Sequence, residues 1–233
     1  ILLGIGVSLG TNFVGIAAFI GAFAISLAVL FISNLGGRSN SMKLLLAGMA
    51  LSAVCGAFSS FIVYFANNKE GMQTIAYWMM GSLAGAKWGE LAIIAPIIMA
   101  SVIFFWTQSR VLNLMLLGDE SAITMGTDLH VYRQWYLLIS SLIVGFAVYA
   151  AGMIGFVGLI IPHVIRMFTG PDHKRLIPVS ALTGAIFLVI CDGLCRIIIP
   201  HTELPIGILI SMIGAPSFIY LMIKKTYGFG GND

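Results

Sequence analysis

Three groups of side chains in this sequence have the types and spacing to do chemistry. His163 follows Pro162 inside the apolar stretch GFVGLIIPHVIR, residues 155–166, with Gly152, Gly155 and Gly158 as punctuation. An ionisable residue inside so apolar a segment invites a metal or proton-relay reading. No second His, Cys or carboxylate stands near it in sequence to complete a metal site. The favoured role is therefore structural, with a ring nitrogen satisfying backbone groups that a broken helix sets free. Cys191 and Cys195 are one helical turn apart, and Cys55 sits alone in another apolar run. Without Cys-x-x-Cys or zinc spacing, all three read as buried, inert thiols. Asp192 and Arg196 stand at i,i+4, where a carboxylate and a guanidinium can pair along one helix face. No P-loop Gly-x-x-x-x-Gly-Lys-Ser/Thr occurs, and no Gly-x-Ser-x-Gly stands out beside a partnered histidine.

The elements that position these groups belong to a membrane protein. Of 233 residues, 59% are hydrophobic and only 9% are charged, against about 25% charged in soluble domains. So few charges cannot cover a water-facing surface, and lipid must solvate most of the chain. Apolar runs bounded by charge or turn residues give seven membrane segments, at about 12–33, 41–65, 89–106, 134–152, 155–168, 176–199 and 204–223. The opening ILLGIGVSLG is too short to span and reads as the tail of a helix. The fold class is all-α, a polytopic transmembrane bundle forming one domain over 1–233.

Alternation of the segments puts Arg38, Lys43, Arg110, Arg133, Arg166, Lys174, Arg175, Lys224 and Lys225 on one side. Lys69, Lys87 and Arg196 fall on the other. The positive-inside rule makes the first side cytoplasmic, with the C-terminus and the 107–133 loop on it. The assignment requires the short fifth segment to cross. As one α-helix it would reach only about 21 Å of a core about 30 Å thick. An extended 155–161, permitted by Gly155 and Gly158, followed by a helix starting at Pro162 would suffice. Unwound backbone survives at membrane depth only against protein or a water-filled path.

Two connections are long. The stretch LGDESAITMGTDLHVYR within 107–133 reads as two short amphipathic helices separated by a turn at Gly126, Thr127 and Asp128. It is either a docking surface for a partner or an interfacial loop with none. The connection 66–88 carries Tyr77 and Trp78 where an aromatic belt would place them. Gly71, Gly81 and Gly85 there bracket a short helix able to act as a gate.

Several ordered blocks from about residue 38 onward resemble the permease family of ABC importers for iron–siderophore, haem and cobalamin. They are LLLAGMAL (44–51), YWMMGSLAGAKW (77–88), LGDESAITMG (117–126), GFVGLIIPHVIR (155–166), DHKRLIPVSALTGA (172–185), CDGLCR (191–196), ELPIGI (203–208) and IGAPSFIYLM (213–222). The resemblance implies a type II importer permease fold of ten transmembrane helices in a prokaryotic cytoplasmic (inner) membrane. It implies a second permease subunit, identical or not, two cytoplasmic ATPase subunits and an extracytoplasmic substrate-binding protein. The family's ATPase-docking loop corresponds to about Leu117–Tyr132, with Leu117, Gly118, Asp119, Glu120, Ala122 and Gly126 at family-like positions. Arg196 matches a position that receives acidic groups of the binding protein. The family's first helices are absent, so the chain is expected to be a C-terminal portion of a longer permease.

Three function classes are open. The leading one is a permease subunit that catalyses nothing and binds no cofactor or nucleic acid, with ATP used by a separate chain. Its expected cargo is a metal chelate, ferric siderophore before haem or cobalamin. An ion-coupled secondary transporter would want buried mid-helix carboxylates, and only Asp192 and Glu90 are available, both near segment ends. An intramembrane serine protease lacks its nucleophile motif. Glu203, Pro205, Gly207, Gly214, Ala215 and Pro216 read as architectural residues of the last helix.

Overall fold

The computed structural model describes residues 13–35, 41–65, 69–198 and 204–224. The opening run, Arg38, Glu203 and Lys225 lie outside them, as do the side chains of Lys69, Asp119, Glu120 and Lys224. Among the described residues the chain forms ten helices: α1 Phe13–Asn34, α2 Ser41–Phe65, α3 Lys69–Met80, α4 Trp88–Thr107, α5 Ser109–Met115, α6 Asp119–Thr124, α7 Leu129–Ala151, α8 Val157–Thr169, α9 His173–Ile198 and α10 Ile206–Lys224. Five, α1, α2, α4, α7 and α9, contain apolar stretches long enough to cross a membrane, and α8 and α10 are shorter apolar helices. These seven correspond to the seven segments read from hydropathy.

Close helix contact is made where glycine removes a side chain. A Cβ on Gly15 of α1 would lie 2.7 Å from the Tyr149 ring of α7, and one on Gly145 of α7 would lie 2.8 Å from the Phe19 ring of α1. The antiparallel pair therefore approaches more closely than larger residues allow. Helix α2 takes its main support from α1, while α8 packs on α9 and α10. The core lies among the last three helices: Cys191, Cys195, Ile206 and Ile210 form one cluster, and Ile161, Ile165 and Leu176 another. Outside it, large apolar side chains such as Phe31, Phe58, Ile93 and Val189 are more than 60% exposed, the signature of a surface meant for lipid or another helix.

The bundle has two ends. The loop end carries α5, α6 and the α8–α9 turn, and the opposite end carries α3. The fifth crossing is broken, but not where the sequence suggests. Residues 152–156 are non-helical and α8 starts at Val157, so Pro162 lies inside the helix and not at its start. The expected extended stretch 155–161 is thus mostly helical. Helix pairs backbone groups that extended chain would leave unsatisfied at membrane depth, and it buries Ile160, Ile161 and Ile165 together. Those gains outweigh the one hydrogen bond that proline forfeits to Gly158. Thirteen helical residues reach about 20 Å, and the five residues before them are non-helical, with Gly152 and Phe156 at positive φ.

Candidate docking site at the loop end

At the loop end the chain leaves α4 through Gln108, whose side-chain oxygen accepts from the Tyr136 hydroxyl of α7 at 3.2 Å. Helix α5 comes next, and Leu117 and Gly118 carry the chain into α6. Gly118 adopts φ 89°, a left-handed-side value that glycine tolerates. Helix α6 ends in a Schellman motif: Thr127 N–H donates to Ala122 O and Gly126 N–H to Ile123 O, each at 2.9 Å, with Gly126 at φ 80°. Asp128 then caps α7, accepting from the His130 amide at 3.0 Å. The expected turn at Gly126–Asp128 is therefore a C-cap joined to an N-cap. The expected second short helix is instead the first turn of α7, because the Asp128 cap starts a helix whose apolar pattern never lapses. Ala122 is fully buried and Leu129 is 2% exposed, whereas Leu117, Ile123 and Met125 are each more than half exposed. The cluster is anchored beneath by Ala122 and Leu129 and turns Leu117, Ile123 and Met125 outward.

Asn113 of α5 ties this cluster to the α8–α9 turn. Its Nδ2 donates to Asp172 Oδ1 at 2.8 Å, and its Oδ1 accepts from the His173 amide at 2.9 Å, with the His173 ring Nδ1 at 2.7 Å. Asp172 Oδ1 also accepts from the Lys174 amide at 3.0 Å, and the Trp106 indole donates to the Lys174 carbonyl at 3.0 Å. The Asn113 bond, then the Lys174 amide, hold the Asp172 carboxyl below its ordinary value. A depressed carboxylate stabilises the fold above its unfolded pKa, and that contribution is lost as pH falls through the folded value. Asn113→Ala is thus expected to lower the apparent Tm in detergent by a few degrees at pH 7. The difference from the parent should shrink below about pH 4. An equal difference at both pH values would detach Asn113 from the Asp172 charge.

The opposite end is built from backbone meeting backbone. Gly81, after α3, has φ 71° and Gly152, after α7, has φ 70°. A Cβ on Gly152 would lie 2.5 Å from the Trp78 carbonyl oxygen, and one on Gly81 2.9 Å from the Met153 oxygen. A Cβ on Gly207 of α10 would fall onto the Met80 carbonyl oxygen. Ser82 N–H donates to Ala151 O at 2.9 Å across the same knot. Phe156, at φ 65°, is the one non-glycine residue in the left-handed region among those described. It opens α8, whose Ile160 packs on Gly214 of α10. His163 Nδ1 lies 2.7 Å from Leu159 O, one turn back, and its ring stands edge-on to Phe218 at 5.8 Å. The first is a hydrogen bond within α8 and the second a ring contact with α10. Among the described residues no group of three His, Cys, Asp or Glu could hold a metal. Near this end, Arg196 Nε donates to Asp192 Oδ2 at 2.9 Å, and Lys87 lies 3.9 Å from Glu90. Both span carboxylates thus face a cation one turn away.

The FecCD transport family model matches residues 1–224. The chain belongs to that family. It is 39% identical over 90% of its length to the hemin transport system permease of Yersinia pestis, and spans 62% of that protein. It is 39% identical over 88% of its length to a cobalamin import permease of Halobacterium salinarum, spanning 55% of it. The vitamin B12 import permease of Salmonella typhi is 36% identical over 91% of the chain, with 64% of that protein covered. The chain therefore spans rather more than half the length of these curated relatives. The structure of an inward-facing metal-chelate type ABC transporter superimposes with a TM-score of 0.78 at 31% identity, covering 91% of this chain and 71% of that one. The all-helical permease fold is shared.

Within this FecCD-family chain the structure gathers Leu117, Gly118, Ala122 and Gly126 into one cluster, and the backbone of Asp119 and Glu120 opens α6 there. Arg196 stands apart near the other end. Gly155 and Gly158 adjoin the break, yet a Cβ on either would meet nothing within 4 Å. The glycines at which an added Cβ would run into backbone of another element are Gly81, Gly152 and Gly207. Sequence reasoning also missed Asn113, whose partners lie 59 and 60 residues away. Asp172 carries a local signal as a helix cap, since GPDHKR puts a turn and an acid before an apolar run.

Proposed function

We propose that the chain is the membrane-spanning permease subunit of an ATP-driven importer, paired with a second permease subunit and two cytoplasmic ATPases and fed by an extracytoplasmic binding protein. The observation that carries this reading is the α5–α6 cluster: a compact element, pinned by Asn113 and Gln108, that turns Leu117, Ile123 and Met125 outward at the end richest in basic residues. That end is cytoplasmic by the positive-inside rule. A rigid cluster docked on an ATPase can pass its motion through Asn113 to the α8–α9 turn. Arg196, whose side chain is 50% exposed, is the binding-protein contact at the outer face. The chain itself contributes no catalytic group and no resident cofactor.

The cargo is a metal chelate. The named relatives carry hemin, cobalamin or vitamin B12, which favours a macrocyclic tetrapyrrole chelate over the ferric siderophore that the sequence alone suggested. An ion-coupled carrier is disfavoured because Asp192 and Glu90 are both near helix ends and each has a basic neighbour. Reconstitution with the ATPase and binding protein, followed by haem, cobalamin and ferric siderophores in turn, should give ATP-dependent uptake of haem or cobalamin. Uptake that outlasts ATP depletion but collapses with the proton gradient would sink the proposal.

A further inference from the structure

Beside the Asn113–Asp172 junction lies an open cavity lined by Trp106, Thr107, Ser109, Arg110, Asn113, Asp172 and Lys174. Its wall is prebuilt, because the Trp106 indole is bonded to the Lys174 carbonyl and so ties the end of α4 to the start of α9. Ser109 is 8% exposed, and its hydroxyl has no hydrogen-bond partner among the described residues. Arg110 and Lys174 are exposed, and neither forms a salt bridge there. Asp172 is the one acid in the lining, and its Oδ1 is already engaged by the Asn113 side chain and the Lys174 amide. Two cations, a buried open hydroxyl and a tryptophan converge where apolar helices end.

We propose that this cavity binds the headgroup of an anionic phospholipid. The phosphate sits between Arg110 and Lys174, and Ser109 donates to a phosphate or glycerol oxygen. The Trp106 ring lies at the depth where interfacial aromatics meet the glycerol region. Charge complementarity selects the occupant: two basic groups against one already engaged acid leave the cavity positive, and juxtamembrane cations draw anionic lipid. A phosphate here would rest against the Asn113–Asp172 tie and hold α5 to α9. The proposal rests on the membrane-spanning reading and not on transport, so its outcome is independent of any uptake assay.

The test is native mass spectrometry of the detergent-purified protein titrated with phosphatidylglycerol, phosphatidylcholine or inorganic phosphate. Phosphatidylglycerol should be retained and phosphatidylcholine lost. Arg110→Gln and Lys174→Gln should each weaken retention roughly fivefold, while Lys43→Gln on α2, away from the cavity, should leave it unchanged. Equal retention of phosphatidylcholine, or equal weakening by Lys43→Gln, would overturn the proposal. Displacement of the lipid by millimolar inorganic phosphate would reassign the cavity to a free anion and overturn it too.

Discussion

Gly152→Ala is expected to destabilise the protein by about 3 kcal/mol or more, a fall in apparent Tm of roughly 6–12 °C. Two costs coincide at this position. The backbone holds φ 70° and ψ −161°, a combination that side-chain-bearing residues avoid. The added Cβ would also lie 2.5 Å from the Trp78 carbonyl oxygen, with the Gly81 Cα 3.1 Å away. Neither obstacle is the flexible end of a side chain, so relief requires moving α3 or the 152–156 linker. Gly207→Ala meets the Met80 carbonyl and should behave similarly. Gly155→Ala, in open space, should stay within about 0.5 kcal/mol. Gly158→Ala should stabilise α8 by up to about 1 kcal/mol, since glycine is the poorer helix former. Thermal unfolding in detergent reads all four. An ordinary Tm for Gly152→Ala would show that the knot yields and that α3 is loosely held.

The contrast among these glycines shows how far the sequence could be read. Seven membrane segments were legible because hydropathy is a property of contiguous residues, and the Gly126–Asp128 turn because its cap residues are local. The broken crossing was legible in outline, since its length fell short. Its position was not. Pro162 is the conspicuous local signal, but tertiary burial of Ile160, Ile161 and Ile165 overrides it and moves the break five residues upstream. Gly155 and Gly158 looked important because they would permit unwound backbone ahead of that proline. Gly81 and Gly207 stood out too, one as the border of a gate-like helix and the other as a packing position, but the carbonyls from other elements that they make room for were not legible. At the loop end the same rule holds: Ala122 and Gly126 act within one turn, whereas Asn113 acts on residues far along the chain. His163 shows both ranges at once, since it meets a carbonyl one turn back and a ring on α10.

The second large effect is expected at the top of the α5–α6 cluster. Ile123→Glu with Met125→Glu should leave folding nearly unchanged, because both side chains are more than half exposed and such substitutions usually stay within about 0.5 kcal/mol. Association with the ATPase should fall by at least about 30-fold, the equivalent of about 2 kcal/mol for one hot-spot residue. The asymmetry comes from desolvation: a docked ATPase would bury two carboxylates with no cation from this cluster to meet them, a cost absent while the surface faces water. Ala122→Leu makes the opposite case. Ala122 is fully buried beneath the same surface, so the larger side chain should cost about 1–3 kcal/mol of stability through overpacking. It should weaken docking only as far as it deforms the cluster. Co-purification of the ATPase with each variant, alongside its thermal unfolding, separates the two. If the double glutamate variant retains the ATPase, the exposed apolar face is an interfacial surface for lipid, and the docking reading of 107–133 fails while the fold and the family stand.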